Sequence, residues 1–227
     1  MSEIAQGAIC PPRRNAPRFR HAVQFQMARI QVPIFFDYAS TLCYIAWRIV
    51  GELEGELEFD ALWKGVPIAM RDHRAKPGRI VNDRERQKVL MVAAETGVPV
   101  AMPAAWLDSI GALEGSEIAR AAGVFRAYHD AMFRAAFEDR RDIGNREVLA
   151  EIAALAGLDP DRFGRDMRAG AMRERIEANK READEFSALG YPTFILGDFP
   201  LTGIQPISSM RLLLARFIKQ RTAEPQA

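Results

Sequence analysis

The chain is predicted to be an α/β protein with a strand–helix–strand start, a long helical middle and a hairpin–helix end, and three observations lead there. Residues 32–36 are a short apolar run, residues 41–50 repeat Leu42, Ile45, Ala46, Ile49 and Val50 at helical spacing, and residues 57–63 form a second strand-like run. Helical patterns then fill about a hundred residues, from 84 to 189. Residues 193–196 and 199–202 flank Gly197 and Asp198 as a hairpin would, and residues 207–218 carry the stripe Leu212, Leu213, Leu214, Phe217 and Ile218 of a closing helix.

Each element has its local reason. Asp37 ends the first strand, and Gly51 to Gly55 is a polar, glycine-bounded stretch expected to break the first helix. A crossover through that helix makes the first two strands parallel. Residues 84–95 form a helix stopped by Gly97 and Pro99, and Pro103 opens a loop or short helix holding Trp106. Residues 115–140 read as one long helix, with Ile118, Ala122, Phe125, Ala127, Met132, Phe133 and Phe137 as its apolar content. Asn145 caps residues 146–156, Asp159-Pro160 starts the next helix, and a further one covers about 171–189.

Composition narrows the function. With 227 residues, 48% of them hydrophobic, there is enough chain for one large domain or a domain with a substantial insertion. A formal charge of +1 gives no basic excess, so neither nucleic acid nor a membrane surface is an expected partner. No apolar run reaches membrane-spanning length. Cys10 and Cys43 are the two cysteines, too few for a disulfide framework, and an intracellular, cytoplasmic location is expected. Residues 1–30 are basic, without acids between Glu3 and Asp37. They read as a disordered leader or an over-extended start, with an organelle-targeting segment as the alternative.

The chemistry concentrates at the first strand–helix junction, Phe35-Phe36-Asp37-Tyr38-Ala39-Ser40-Thr41-Leu42-Cys43-Tyr44-Ile45. A helix start carries unpaired N–H groups and partial positive charge, which favours a thiolate held there. The first position, however, is serine. Far along the chain stands Gly190-Tyr191-Pro192-Thr193-Phe194-Ile195.

These two motifs, in this order and about 150 residues apart, resemble the DsbA family of thioredoxin-fold proteins. The likeness is to its FrnE-like and 2-hydroxychromene-2-carboxylate isomerase-like branches, relatives of kappa-class glutathione transferases, and spans about residues 31–219. Redox members carry Cys-x-x-Cys where this chain has Ser40-Thr41-Leu42-Cys43. The resemblance implies a thioredoxin fold with a large all-helical insertion between the second strand and the cis-proline strand. Residues 31–83 and 190–219 would form the thioredoxin-like part, 84–189 the insertion or lid, and 220–227 a tail.

It also implies a site. Ser40 and Cys43 are the catalytic candidates, and Ser40, Tyr191, Pro192 and Gln205 are candidates to hold glutathione as co-substrate. Asp37, Tyr38, Trp63 and Trp106 are expected along a substrate cleft, with Tyr128 as a further aromatic. The expected partners are a small-molecule substrate and, as is common in the family, a second copy of the chain. The turn Thr202-Gly203-Ile204-Gln205-Pro206 departs from the glutathione-binding branches and resembles the redox members.

Serine cannot form a mixed disulfide, so ordinary dithiol exchange is expected to be absent, and any residual redox chemistry would run through Cys43 alone. Three functions stay open: an isomerase or transferase that activates an external thiol at Ser40, a single-cysteine redox enzyme, and a binding protein that lost its nucleophile. Ser40 is equally suited to a plain N-cap, and Cys43 to a small buried hydrophobe. His73 and His129 have no metal-ligand spacing with each other or with a cysteine, so no metal is expected. Arg126, Arg134, Arg140 and Arg141 read as a solvated face with Glu138, Asp139 and Asp142, the alternative being an anion pocket.

Overall fold

Val32, Ile34, Phe35 and Phe36 are fully buried, so the first strand is a central one rather than a surface ribbon. The computed structural model describes residues 29–223. Strand β1 (Ile30–Phe36) pairs in parallel with β2 (Phe59–Gly65) and antiparallel with β3 (Thr193–Leu196), which pairs antiparallel with β4 (Phe199–Thr202). The strand order is β2-β1-β3-β4. Thus segments about 160 residues apart lie side by side, Ile34 facing Phe194 and Trp63.

Helix α1 (Thr41–Glu56) crosses over between β1 and β2. It runs through the expected break at Gly51 to Gly55, because Leu53 is fully buried beyond Gly51. That burial outweighs a glycine's helix cost of about 1 kcal/mol. The second strand accordingly starts later than expected, at Phe59. After it come two short 3-10 turns, Ile68–Met70 and His73–Ala75, and then α2 (Asp83–Thr96), opened by an Asn82–Glu85 capping box and closed by Gly97 at φ 71°.

Four of the remaining helices form the body of the insertion: α3 (Ile110–Ala121), α4 (Phe125–Phe137), α5 (Arg146–Leu155) and α6 (Pro160–Ala169). The expected single helix over 115–140 is therefore two. Gly123 adopts φ 78°, turning the chain between α3 and α4, and leaves Ala122 and Ala127 exposed. Helix α7 (Arg173–Glu185) leads back to β3, with Lys64 Nζ 2.5 Å from Glu182 Oε1 tying it to β2. Helix α8 (Ile207–Ala223) ends the described chain and extends into the expected tail. It buries Met210 and Leu214, whereas Leu212 and Leu213 of the expected stripe are exposed.

Most of the expected leader, and Cys10 with it, lies outside the described residues. Arg29 and Ile30 do not. Ile30 opens β1, and Arg29 donates to the carbonyls of Glu54 and Leu57 and pairs with Asp60 at 3.3 Å.

Candidate functional site

The sequence Asp37-Tyr38-Ala39-Ser40 turns the chain from β1 into α1 within four residues, and this turn positions everything else. Ser40 is the N-cap residue, in extended conformation, with its own carbonyl accepting the first intrahelical N–H from Cys43 at 2.9 Å. Its Oγ accepts from Cys43 N at 3.4 Å and donates to the carbonyl of Tyr191 at 3.4 Å. Both contacts are long for a hydroxyl, so Ser40 is held loosely and its hydroxyl is free to turn towards a better partner.

Cys43 lies one turn further in and is fully buried. Its Sγ accepts the backbone N–H of Asp37 at 3.5 Å. Burial pushes the thiol up to about 12, although the contacts with Ser40 and with the Asp37 N–H pull the other way. Near neutral pH this catalytic candidate is therefore an enclosed thiol held in its protonated form, whereas a reactive cysteine is an accessible thiolate.

Asp37, Tyr38 and Trp63, expected along the cleft, lie behind it. Asp37 is fully buried and accepts from Ala39 N at 2.9 Å and Ile68 N at 2.6 Å. Burial raises its pKa, the two N–H groups and Ser109 opposing the rise. Its role is to fasten the β1–α1 turn to the turn after β2. Tyr38 is fully buried and bonds His129 Nδ1 at 2.9 Å. The imidazole is packed by Trp63 at 4.8 Å and by Phe36 and Phe125 at 4.9 Å each. These rings join the sheet to the insertion, where bulk and rigidity matter more than access. Tyr128, also buried, lies 6.3 Å from Phe163 within the helical core.

His129, which the sequence marks only by its lack of metal-ligand spacing, is buried among these rings. Burial, and then Arg120 and Arg126, push it well below the usual histidine range, and its Nε2 is a buried atom without a partner among the described residues. No group of three or more His, Cys, Asp or Glu side chains among those residues could hold a metal ion.

A cleft of about 1490 Å³ opens in front of Ser40. Tyr191, Trp106 and Gln205 line it with Ser40, so the turn, the Pro192 loop and the α2 side meet there. The Tyr191–Pro192 peptide bond is cis. Pro192 O accepts from Gly203 N at 2.8 Å, and Thr193 Oγ1 bonds both Gly190 O at 2.6 Å and Thr202 Oγ1 at 2.9 Å. These bonds fix the loop that carries Tyr191. Tyr191 is 5% exposed, its Oη is buried without a partner among the described residues, and the Arg71 guanidinium lies 5.9 Å from its ring centre. Gln205 stands exposed at the rim. Sequence reasoning missed the wall supplied by α2, because nothing local to residues 83–96 says which face meets the cleft.

Residues 31–215 match the family described as the DSBA-like thioredoxin domain. The chain belongs to that family. This DSBA-like protein is 23% identical over 184 residues to the uncharacterised protein YwbO of Bacillus subtilis, covering 77% of this chain and 90% of YwbO. Among solved structures it is similar to the probable DsbA oxidoreductase SCO1869 of Streptomyces coelicolor, with TM-score 0.70, 21% identity, and 87% and 93% of the two chains covered. A 2-hydroxychromene-2-carboxylate isomerase matches with TM-score 0.65, 20% identity, and 86% and 98% covered. The cytosolic disulfide reductase DsbM of Pseudomonas aeruginosa, solved with GSH, matches with TM-score 0.63, 20% identity, and 84% and 100% covered. At these identities the structural likenesses carry the fold. The same fold is thus found in proteins named as oxidoreductases and as an isomerase, and the chemistry of this chain rests on its own residues.

Proposed function

We propose that this DSBA-like protein is a cytoplasmic enzyme that activates an external thiol, glutathione, at Ser40 for isomerisation or conjugation of a small organic substrate. One observation carries the reading. The hydroxyl at the start of α1 faces the cleft beside the cis-proline loop, while the chain's own thiol, Cys43, is fully buried. A reacting sulfur must then come from outside.

Glutathione would supply the nucleophilic thiol. Ser40 O–H, released from its long contact with Tyr191 O, donates to that sulfur, and the N–H groups at the start of α1 add positive potential. A helix terminus contributes about 0.3–1 kcal/mol, and one pKa unit corresponds to about 1.4 kcal/mol, so the hydroxyl supplies much of any larger shift. By its likeness to the glutathione-binding branches, the Pro192 loop beside Ser40 would receive the peptide, with Tyr191 lining the cleft. The cleft volume exceeds the roughly 300–1000 Å³ of a typical small-ligand site, which leaves room for thiol and acceptor together. DsbM, solved with GSH, supports the choice of thiol.

The test is thiolate absorbance of glutathione titrated with pH in the presence of the protein. A thiol pKa lowered by wild type and less so by Ser40→Ala supports the assignment. An unshifted thiol sinks it.

A second reading, a redox scaffold that lost its nucleophile, is favoured by the Gly203 to Pro206 turn, whose sequence resembles that of the redox members. Ser40→Cys separates the two. Strong disulfide reductase activity from that variant, with no glutathione binding by wild type, would select the second.

A further inference from the structure

Beyond the last β1–β3 pair, Phe35 with Thr193, hydrogen bonds among the described residues join the Ser40 turn to the Pro192 loop by two routes. The first is direct, the 3.4 Å contact from Ser40 Oγ to the carbonyl of Tyr191. The second runs through Arg71. It begins at Asp37, whose carboxylate holds Ala39 N at 2.9 Å on the Ser40 turn and Ile68 N at 2.6 Å on the turn after β2. The carbonyl of Ile68 accepts the backbone N–H groups of Arg71 and Asp72, each at 2.9 Å, which folds that turn tightly. From there the Arg71 guanidinium donates to the carbonyls of Ala188 at 3.1 Å and Lys180 at 3.4 Å, pairs with Asp184, and lies 5.9 Å from the centre of the Tyr191 ring.

The Arg71 side chain is only 13% exposed, although it lines the cleft with Ser40 and Tyr191. Ala188 is fully buried, whereas Leu189, which follows it, is 84% exposed. The approach to Tyr191 therefore has little packing of its own between the Arg71 bond and the bonds that fix the loop at Gly190 and Pro192. A guanidinium suits this place, because its planar fork aims N–H groups at several acceptors in fixed directions, as an ammonium does not. The two routes differ once a thiol is bound. The Ser40 hydroxyl then leaves Tyr191 O for the sulfur, so the direct route opens when the site is in use, and the route through Arg71 stays closed.

We propose that Arg71 is a positioning residue for thiol activation: it keeps the Tyr191–Pro192 loop in register with Ser40 while the hydroxyl is turned to the sulfur. This rests on the reading that an external thiol is activated at Ser40, and it names the side chain that holds the site in shape for it.

Two measurements on the full-length protein test this. Without glutathione, amide hydrogen exchange over residues 186–193 should quicken by about tenfold or more in Arg71→Gln and by less than about twofold in Ser40→Ala, whose lost contact is long. With protein in excess, so that glutathione is bound, thiolate absorbance is titrated with pH. The lowering of the thiol pKa by wild type should be cut by about half or more in Arg71→Gln. Arg71→Lys should resemble Arg71→Gln, since it keeps the charge and loses the fork. Adding Arg71→Gln to Ser40→Ala should move the bound thiol by no more than about 0.2 pKa units, because no hydroxyl is left to aim.

A bound thiol in Arg71→Gln that titrates as in wild type, even with weaker binding, would mean that Arg71 only supports the fold, and overturns the proposal. So does wild-type behaviour of Arg71→Lys, which would make the charge the operative property. If Arg71→Gln does not fold, Asp184→Asn loosens the same guanidinium from a half-exposed position. It should give faster exchange and a smaller lowering than wild type, and wild-type values in both overturn the proposal. A thiol left unshifted by wild type itself defeats the thiol reading and this role together. Unchanged exchange in Arg71→Gln beside a shifted wild-type thiol defeats the role of Arg71 alone.

Discussion

Ser40 Oγ lies 3.4 Å from the carbonyl oxygen of Tyr191, a residue 151 positions further along the chain. This contact joins the helix start to the cis-proline loop, and it makes Ser40 both a cap and a latch. Since its capping contact with Cys43 N is long, Ser40→Ala should cost only about 0.5–1 kcal/mol, the low end for an N-cap. Urea denaturation with an unchanged m-value checks this. A loss well above 2 kcal/mol would show that the hydroxyl is chiefly structural.

Cys43 should resist thiol reagents in the native state. In a Cys10→Ser background, one thiol should label with the kinetics of unfolding and become rapidly reactive in denaturant, because burial both hides Sγ and holds the thiol up to about 12. Rapid labelling of the folded protein would restore Cys43 as a redox candidate.

Asp37→Asn should destabilise the fold by roughly 1–3 kcal/mol. The buried carboxylate accepts two N–H groups, from Ala39 and from the half-buried Ile68, and an amide of the same shape offers one acceptor and sets a donor against the other N–H. The loss should appear in both melting temperature and urea midpoint. A variant as stable as wild type would mean that the two turns are held by other contacts.

His129 should make the fold sensitive to mild acid. Its folded pKa lies well below the 6.5 of an ordinary histidine, so the unfolded chain takes up the proton first. Its contribution is complete above about pH 6.5 and is lost as pH falls from there towards the folded pKa. Urea midpoints measured from pH 7.5 to 5 should fall in wild type and fall less in His129→Phe. That variant loses the Tyr38 bond at all pH values, so the slope, not the absolute stability, is the readout. Equal slopes would contradict a buried neutral imidazole.

Much of the frame was legible because its signals are local. The hairpin at Gly197 and Asp198, the helix starts at Asn145 and Asp159, and the apolar runs of β1 and β2 each depend on a few neighbouring residues. The run of α1 through Gly51 and the split at Gly123 were not, since a glycine's effect depends on what lies on either side in space. Leu53 is buried beyond the first, while the second takes a positive φ. In the site, the Ser40 junction and the Pro192 loop were recognisable as motifs. That Tyr38 and Trp63 close around His129, and that Arg84 and Lys88 face the cleft, depends on packing between elements far apart in sequence.

Calorimetric titration of glutathione into wild type and Ser40→Ala in parallel tests the proposed thiol site most directly. Activation of an external thiol at Ser40 predicts binding to wild type that weakens by about tenfold or more in Ser40→Ala, the equivalent of one hydrogen bond to a charged sulfur. Binding of equal strength to both proteins, or to neither, would contradict it.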